Sequence, residues 1–537
     1  MLKKIRAIAR SFLLLFVLLL QACDSSSSLP QDLNYYQLWV ESLSSNQYTV
    51  AQGNAYLMQN TDCPAYVDVF DSCFGQNPAS PYIIPQPPIG DTYVDPYYAE
   101  TFNTPGPDGS TNIFYRLSDN DALITIIAYP PEAAYMGYQS YVFTRETSYY
   151  TDITPPRPRV VSPDPSRYDV FGSMGNDVNN IIIENQYGKA PWGGNVIMFI
   201  TSSNQNLTSA LISNATNQGI NPDSIFVEPV GSNVITGTGS TSDDMLTLMR
   251  YAVPENESNS TAWENALSSN MLVYRVTNSN IAVSRFGANA YTAHAINSDE
   301  TSLQTALEQL SSLLQNYLQD NQPLTISASS IQTQATTVDD ANGVPTSGLV
   351  GAFCIAYGTN CEGDNQDTST YSTLLDYVNI LGPEETAFIA GVNHSLESVD
   401  NSRYISLGIY NATNSSGVAS ASQTNAEAAG FESGFLNDSA QAVLTALGIS
   451  IPAGNDELTA NIDKLYVTFV TRNCNNSTVG AASNYCIDLE GTSLIPLSDP
   501  ISITERSYII PGSTTGGYVP QMVYPFIIAG THNFIAN

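Results

Sequence analysis

Asn195-Val-Ile-Met-Phe-Ile-Thr201 is a continuous apolar run of strand length. Leu207 to Thr216 follows, with Leu207, Leu211 and Ile212 on one helical face, and Ser224-Ile-Phe-Val-Glu-Pro229 reads as a second strand. Strand, helix and strand within about 35 residues is the spacing of a βαβ unit with a parallel pair.

Downstream, Asp243 to Tyr251 and Ala262 to Ser268 read as short helices and Met271 to Val276 as a strand. The clearest helix spans 298–319: Leu303, Leu307, Leu310, Leu314 and Leu318 repeat at three and four residues, the mark of a core-facing stripe. Ser298 is placed to cap it, with Asp299 and Glu300 in the first turn, and Asn321-Gln-Pro323 ends it. Residues 330–370 are polar and rich in Gly, Thr and Asp. Beyond 385, strands are expected at Thr386–Val392, Tyr404–Tyr410, Lys464–Thr471, Tyr485–Leu489, Ile501–Ile509 and Met522–Ile528, interrupted by helical character over Ala426–Leu447. The expected class is mixed α/β and β, with an α/β middle and a β-rich C-terminal region. No repeat of fixed period is found.

Upstream, residues 34–160 are rich in Tyr and Pro. The prolines between Pro78 and Pro96 exclude a regular helix or a central strand, whereas Ala122–Tyr129 reads as a buried strand stopped by Pro130-Pro131. Pro155-Pro-Arg-Pro158 is a second breaker. These signals divide the chain into a leader (1–22), a polar tether (23–33), the Tyr/Pro-rich region (34–160), an α/β region closed by the long helix (161–322) and a β-rich region (323–537).

The leader carries Lys3, Lys4, Arg6 and Arg10 before an apolar run from Phe12 to Leu20. That is a secretory signal pattern, far short of the roughly 20 residues a membrane-crossing helix needs. It ends in Leu20-Gln21-Ala22-Cys23, which resembles a bacterial lipobox. The resemblance implies cleavage before Cys23, a diacylglycerol on its thiol and a mature body outside the cytoplasm. Each buried methylene of the acyl chains would add about 0.8 kcal/mol of membrane affinity. Asp24 resembles the inner-membrane retention signal of enterobacterial lipoproteins.

The chain carries a formal charge of −33, and loss of the four leader cations lowers it further. Such a body repels phosphate backbones and anionic head groups, so nucleic acid is not an expected partner and membrane contact falls to the lipid. Charged residues are only 12% of the chain, so Ser, Thr, Asn, Gln and Tyr fill the surface. After Cys23 the cysteines form three sequence-local groups, Cys63 with Cys73, Cys354 with Cys361, and Cys474 with Cys486. Six cysteines allow 15 connectivities. The low entropy of closing short loops favours the neighbouring pairs, and an oxidising compartment favours disulfides. Cysteine zinc spacing is absent, and no metal or cofactor is expected.

The three histidines are His294, His394 and His532, none at metal-ligand spacing. G-x-S-x-G, the phosphate-binding loops, H-E-x-x-H and the calcium loop are missing. In Phe388-Ile-Ala-Gly391-Val-Asn393-His394-Ser395-Leu-Glu397 a buried strand runs out into a histidine with an acid nearby. This suits a general base oriented by Glu397 or Asp177, or equally a histidine satisfied inside the fold. The cluster Tyr135-Met-Gly-Tyr138-Gln-Ser-Tyr141-Val-Phe143-Thr-Arg145, followed by Tyr149 and Tyr150, suits a groove for a carbohydrate or small molecule, or a tyrosine-rich helix packed on the core.

Phe171-Gly-Ser-Met-Gly-Asn176-Asp177, Gly391-Val-Asn-His394 and Asp463-Lys-Leu-Tyr466 together resemble a group of uncharacterised secreted proteins, where they appear in the same order, over much of residues 110–530. The resemblance implies a shared fold and a role for His394, but no reaction. The expected protein is a lipid-anchored envelope protein that binds or serves a structural role; the alternative is a hydrolase of an envelope or extracellular polymer with His394 as general base.

Overall fold

The computed structural model describes residues 31–536 except 79, 91–92, 147–163, 165, 322–326, 349, 374–375, 379–384, 425–433, 476–478, 490–494 and 531–533. The leader, Cys23, Tyr149, Tyr150, the breaker at 155–158, Pro323 and His532 lie outside the described residues. Helix and strand are mixed throughout, 28% and 35%, as the expected class requires.

Twenty principal strands fall into two sets of ten. The first set is β1 (Thr49–Gln52), β2 (Asn54–Met58), β3 (Tyr82–Gln86), β4 (Asp121–Ala128), β5 (Ala133–Glu146), β6 (Arg167–Ser173), β7 (Val196–Ser202), β8 (Ile225–Pro229), β9 (Asp244–Pro254) and β10 (Met271–Thr277). The second is β11 (Ala328–Gln332), β12 (Gln334–Ala335), β13 (Thr368–Ser372), β14 (Thr386–Val392), β15 (Tyr404–Asn411), β16 (Ser416–Thr424), β17 (Leu465–Thr471), β18 (Cys486–Asp488), β19 (Ile501–Tyr508) and β20 (Phe526–Gly530).

The two sets repeat one topology. A small sheet in the first half has the order β1-β10-β4-β7-β8, and in the second β11-β20-β14-β17-β18. In each, only the last pair is parallel: β7 with β8, the expected βαβ unit, and β17 with β18. The large sheets contain the paths β6-β5-β9-β3-β2 and β16-β15-β19-β13-β12. The chain is thus a structural duplication.

Each half has three layers. In the first, α1 (Gln31–Leu43) and α2 (Gln205–Asn217) cover one face of the small sheet, and the other face packs on the large sheet. In the second, α3 (Gln304–Asn321) and α4 (Ser439–Ala446) take the outer position. The leucine stripe of α3 is buried, as its spacing predicts. This helix opens the second half instead of closing an α/β region, and β5 pairs with β6 across the expected boundary at 160. Leu33 is fully buried at the start of α1, so the expected tether stops short of it.

Four local expectations are corrected. β3 carries Pro85 yet lies between β9 and β2, so the prolines between Pro78 and Pro96 do admit a central strand. Residues 244–254 form a strand, not a helix, paired with β5 over nearly its whole length. The tyrosine cluster lies on strand β5, not on a helix. Ser298 does not cap α3; its hydroxyl donates to the Val399 carbonyl, while Asp299 accepts from the Thr301 amide. All three disulfides join sequence neighbours, Cys63–Cys73, Cys354–Cys361 and Cys474–Cys486. No helix among the described residues is long and apolar enough to cross a membrane.

Candidate functional site

The halves grip each other reciprocally. The connection from β2 to β3 carries Cys63–Cys73 and ends in Cys73-Phe-Gly-Gln-Asn77. The connection from β12 to β13 carries Cys354–Cys361 and ends in Cys361-Glu-Gly-Asp-Asn365. Each turn has two successive left-handed residues, Phe74 and Gly75 in one, Glu362 and Gly363 in the other. The Cys73 and Gly75 amides donate to the Asn414 and Ser415 carbonyls of the second half; the Cys361 and Gly363 amides donate to Val170 and Phe171 of the first. Equivalent surfaces exchanged in this way make an isologous contact, the internal counterpart of a two-fold dimer.

A cleft of about 80 Å³ lies between the halves, and Arg250 on β9 and Arg506 on β19 both line it. Strand register makes them equivalent: Arg250 pairs with Gly137 and Tyr82, Arg506 with Ser406 and Thr370. Arg250 donates to the Tyr141 hydroxyl at 2.6 Å, and Arg506 to the Tyr410 hydroxyl. Arg250 also donates to the Gly363 carbonyl and Arg506 to that of Gly75, both at 3.2 Å and both across the boundary. The electrostatics differ. Arg250 has Asp177 at 3.8 Å. Among the described residues no carboxylate lies within ion-pair distance of Arg506.

Beside the cleft the Tyr135 hydroxyl faces two carboxyls, Asp367 at 2.8 Å and Asp177 at 3.2 Å, and accepts from Asn365. One phenolic proton serves one carboxylate, so the other contact needs a protonated acid. The acids fit that demand: burial, and for Asp177 also the charge of Asp367, pushes Asp177 well up, and burial pushes Asp367 up to about 7. Asp177 is therefore part of the boundary between the halves.

His394 lies elsewhere. It is wholly buried, with Nδ1 at 2.7 Å from Glu300 and Nε2 at 3.1 Å from Glu505. Burial opposes its charge, but Glu300 and Glu505 overcome this and push its pKa up to about 10. Both ring nitrogens are committed as donors, which leaves no lone pair for a general base. Glu397 is exposed, and no partner of His394 is a partner of Asp177. The three residues expected to act together are thus not brought together. Two of the motifs behind the resemblance, Gly391–His394 and Asp463–Tyr466, instead contribute to this buried network, while Phe171–Asp177 lies at the boundary between the halves. Tyr466 donates to Glu505, and its ring lies where a side chain at Gly391 would be, within 2.7 Å of a Cβ built there.

The aromatic cluster divides by strand alternation. Tyr135 faces the boundary between the halves and Tyr141, on the same side of the strand, packs with Phe143 and Phe171 of the first half, whereas Tyr138 turns inward and stacks on Phe199 at 4.1 Å. Arg145 pairs with Asp243 and donates to the Ile355 carbonyl across the boundary. Of the expected ligand residues, only Tyr141 reaches the cleft arginines, as the partner of Arg250. The sequence reading missed Arg250 and Arg506. The signal that could have found them is the pair of C-x-G-x-N segments, which marks the duplicated turns.

No protein-family model matches the chain, and no curated protein matches it. Among solved structures it is similar to an uncharacterised protein from Burkholderia cenocepacia, with a TM-score of 0.33 and 8% identity over 93% of this chain and 87% of that one. It is also similar to a protein from Vibrio parahaemolyticus, with a TM-score of 0.31 and 9% identity over 92% of this chain and 95% of that one.

Proposed function

We propose that this chain is a lipid-anchored binding protein of a bacterial cell envelope. Cys23 holds it to the membrane, and its body faces the periplasm or the exterior. The observation that carries the binding role is the cleft between the duplicated halves, lined by an arginine from each. Boundaries between packed units are where small-molecule sites concentrate. Three disulfides between sequence neighbours support an oxidising compartment. The hydrolase reading loses its base, since His394 is sealed between two carboxylates.

Two experiments test this. Growth of a bacterial host with an alkyne fatty acid should label the wild-type chain and leave Cys23→Ser unlabelled; equal labelling of both rejects the anchor. Thermal shift against a panel of sugars, sugar acids, amino acids and phosphate should give at least one compound that raises the melting temperature. A panel with no such compound rejects the binding role.

A further inference from the structure

The duplication supplies two versions of the cleft, and their linings have diverged. Register places Ile84 opposite the same neighbours in the first half as Ser372 has in the second, and Leu248 likewise matches Thr504. Met58 pairs with Tyr82 as Thr336 hydrogen-bonds across to Thr370. The first-half cleft, of about 30 Å³, is therefore lined by Met58, Ile84 and Leu248 and is closed in by Phe114 and Phe143. At the matching places the second-half cleft carries hydroxyls, from Thr336, Ser372 and Thr504.

We propose that the second-half cleft, and not its apolar mate, binds the carboxylate end of a small hydroxylated molecule of the sugar-acid class. This rests on the binding role proposed above. Arg506 takes the carboxylate. Its guanidinium lies over the Tyr410 ring at 5.3 Å and is tied to Tyr410 and to the Gly75 carbonyl, which leaves donors in a fixed fork. Arg250 of the first half lines the same cleft, with its Nη1 turned to Asp177 at 3.8 Å. The Ser372 and Thr504 hydroxyls bond to each other at 3.0 Å, which uses one proton and leaves one donor and free lone pairs for ligand hydroxyls. Glu362 also lines the cleft. Its charge, within a strongly acidic protein, favours a monoanionic carboxylate over a phosphate dianion. The volume admits one terminal group, so a longer polymer would enter by its end.

The test is calorimetric titration of the full-length chain in detergent with D-glucuronate, D-glucose and inorganic phosphate. Wild type is compared with Arg506→Met and Thr504→Leu. The second variant installs the residue its own mate already carries at that place, so the sheet accommodates it. The expected result is glucuronate binding at least tenfold tighter than glucose or phosphate, weakened at least tenfold by each folded variant. Unchanged glucuronate affinity in Thr504→Leu overturns the assignment of the site. Tighter binding of glucose or phosphate, lost in Thr504→Leu, overturns the ligand class and leaves the binding role standing. No binding of any of the three overturns the ligand class, and the wider thermal-shift panel then decides the binding role separately.

Discussion

Arg250 and Arg506 each donate from Nη2 to a glycine carbonyl of the opposite half, Gly363 and Gly75, both at 3.2 Å. The glycines are as closely matched as the arginines, with φ of +71° and +63°. Yet a side chain would meet different surroundings. At Gly363 a Cβ would lie 2.7 Å from the Phe171 ring; at Gly75 it would meet nothing within 4 Å. Gly75→Ala should therefore cost only the left-handed strain, about 1–2 kcal/mol. Gly363→Ala adds a clash of the overpacking kind, for a total of about 3 kcal/mol or more. Urea unfolding of the two variants checks this, and equal losses would contradict the asymmetry.

The disulfides Cys63–Cys73 and Cys354–Cys361 close loops with sequence separations of 10 and 7 and end at the two crossing turns. Small loops give the smaller chain-entropy terms, about 2–3 kcal/mol each. The Cys354→Ser/Cys361→Ser variant should lose about that much. Its amide exchange should quicken at Cys361 and Gly363 themselves and at the β6 segment that receives them, before the leucine core of α3 responds. Uniform acceleration across both halves would argue that the loop braces the whole molecule.

How much of this was legible in the sequence depended on how each segment is buried. The run 195–201, the leucines of α3 and the strand at 386–392 announce themselves because one continuous apolar pattern suffices. Strand β9 hides because both its faces are covered. Met245, Leu248 and Met249 then fall at three and four residues and imitate a helix. Tyr135, Tyr138 and Tyr141 mislead in the same way on β5. The duplication is nearly invisible because packing preserves topology while side chains diverge; Ile84 against Ser372 and Leu248 against Thr504 show how far. The turns, where left-handed backbone demands glycine, keep a contiguous shared signature, while elsewhere only isolated residues such as Arg250 with Arg506 and Tyr141 with Tyr410 still match. The cleft could not be read at all, since its arginines stand 256 positions apart in number and meet only through the boundary.

His394 makes a sharper case for structure over catalysis. Replacement by Leu leaves Glu300 and Glu505 buried near one another without the cation between them. Removing one member of a buried ionic set costs about 3–5 kcal/mol. His394→Leu should show a loss of that order in urea unfolding, and adding Glu300→Gln should recover part of it by removing one of the two charges. The sign of the pH effect follows from the raised pKa. The contribution of His394 is complete below its unfolded value of 6.5 and disappears as pH rises through about 10. The variant should therefore differ most from wild type in the acidic half of that range. A constant difference from pH 6 to pH 10 would show that the imidazolium is not the source.

Glu228 gives the opposite kind of group, an acid the fold prefers protonated. It is buried and accepts from the Ser140 amide, the Ser140 hydroxyl and the Thr201 hydroxyl, the last at 2.7 Å. Burial outweighs these bonds and pushes its pKa up to about 7 from 4.5. Between those two values the folded chain holds a proton that the unfolded chain has released, so stability falls as pH rises through this window. A displacement of this size corresponds to about 3 kcal/mol. Glu228→Gln keeps the shape and the carbonyl acceptor but cannot ionise. It should flatten the decline in melting temperature between pH 4.5 and 7, leaving the residual slope that Asp177 and Asp367 contribute from the boundary between the halves. If the slope of Glu228→Gln matches that of wild type, the decline belongs to those two aspartates, and Asp367→Asn should then remove it.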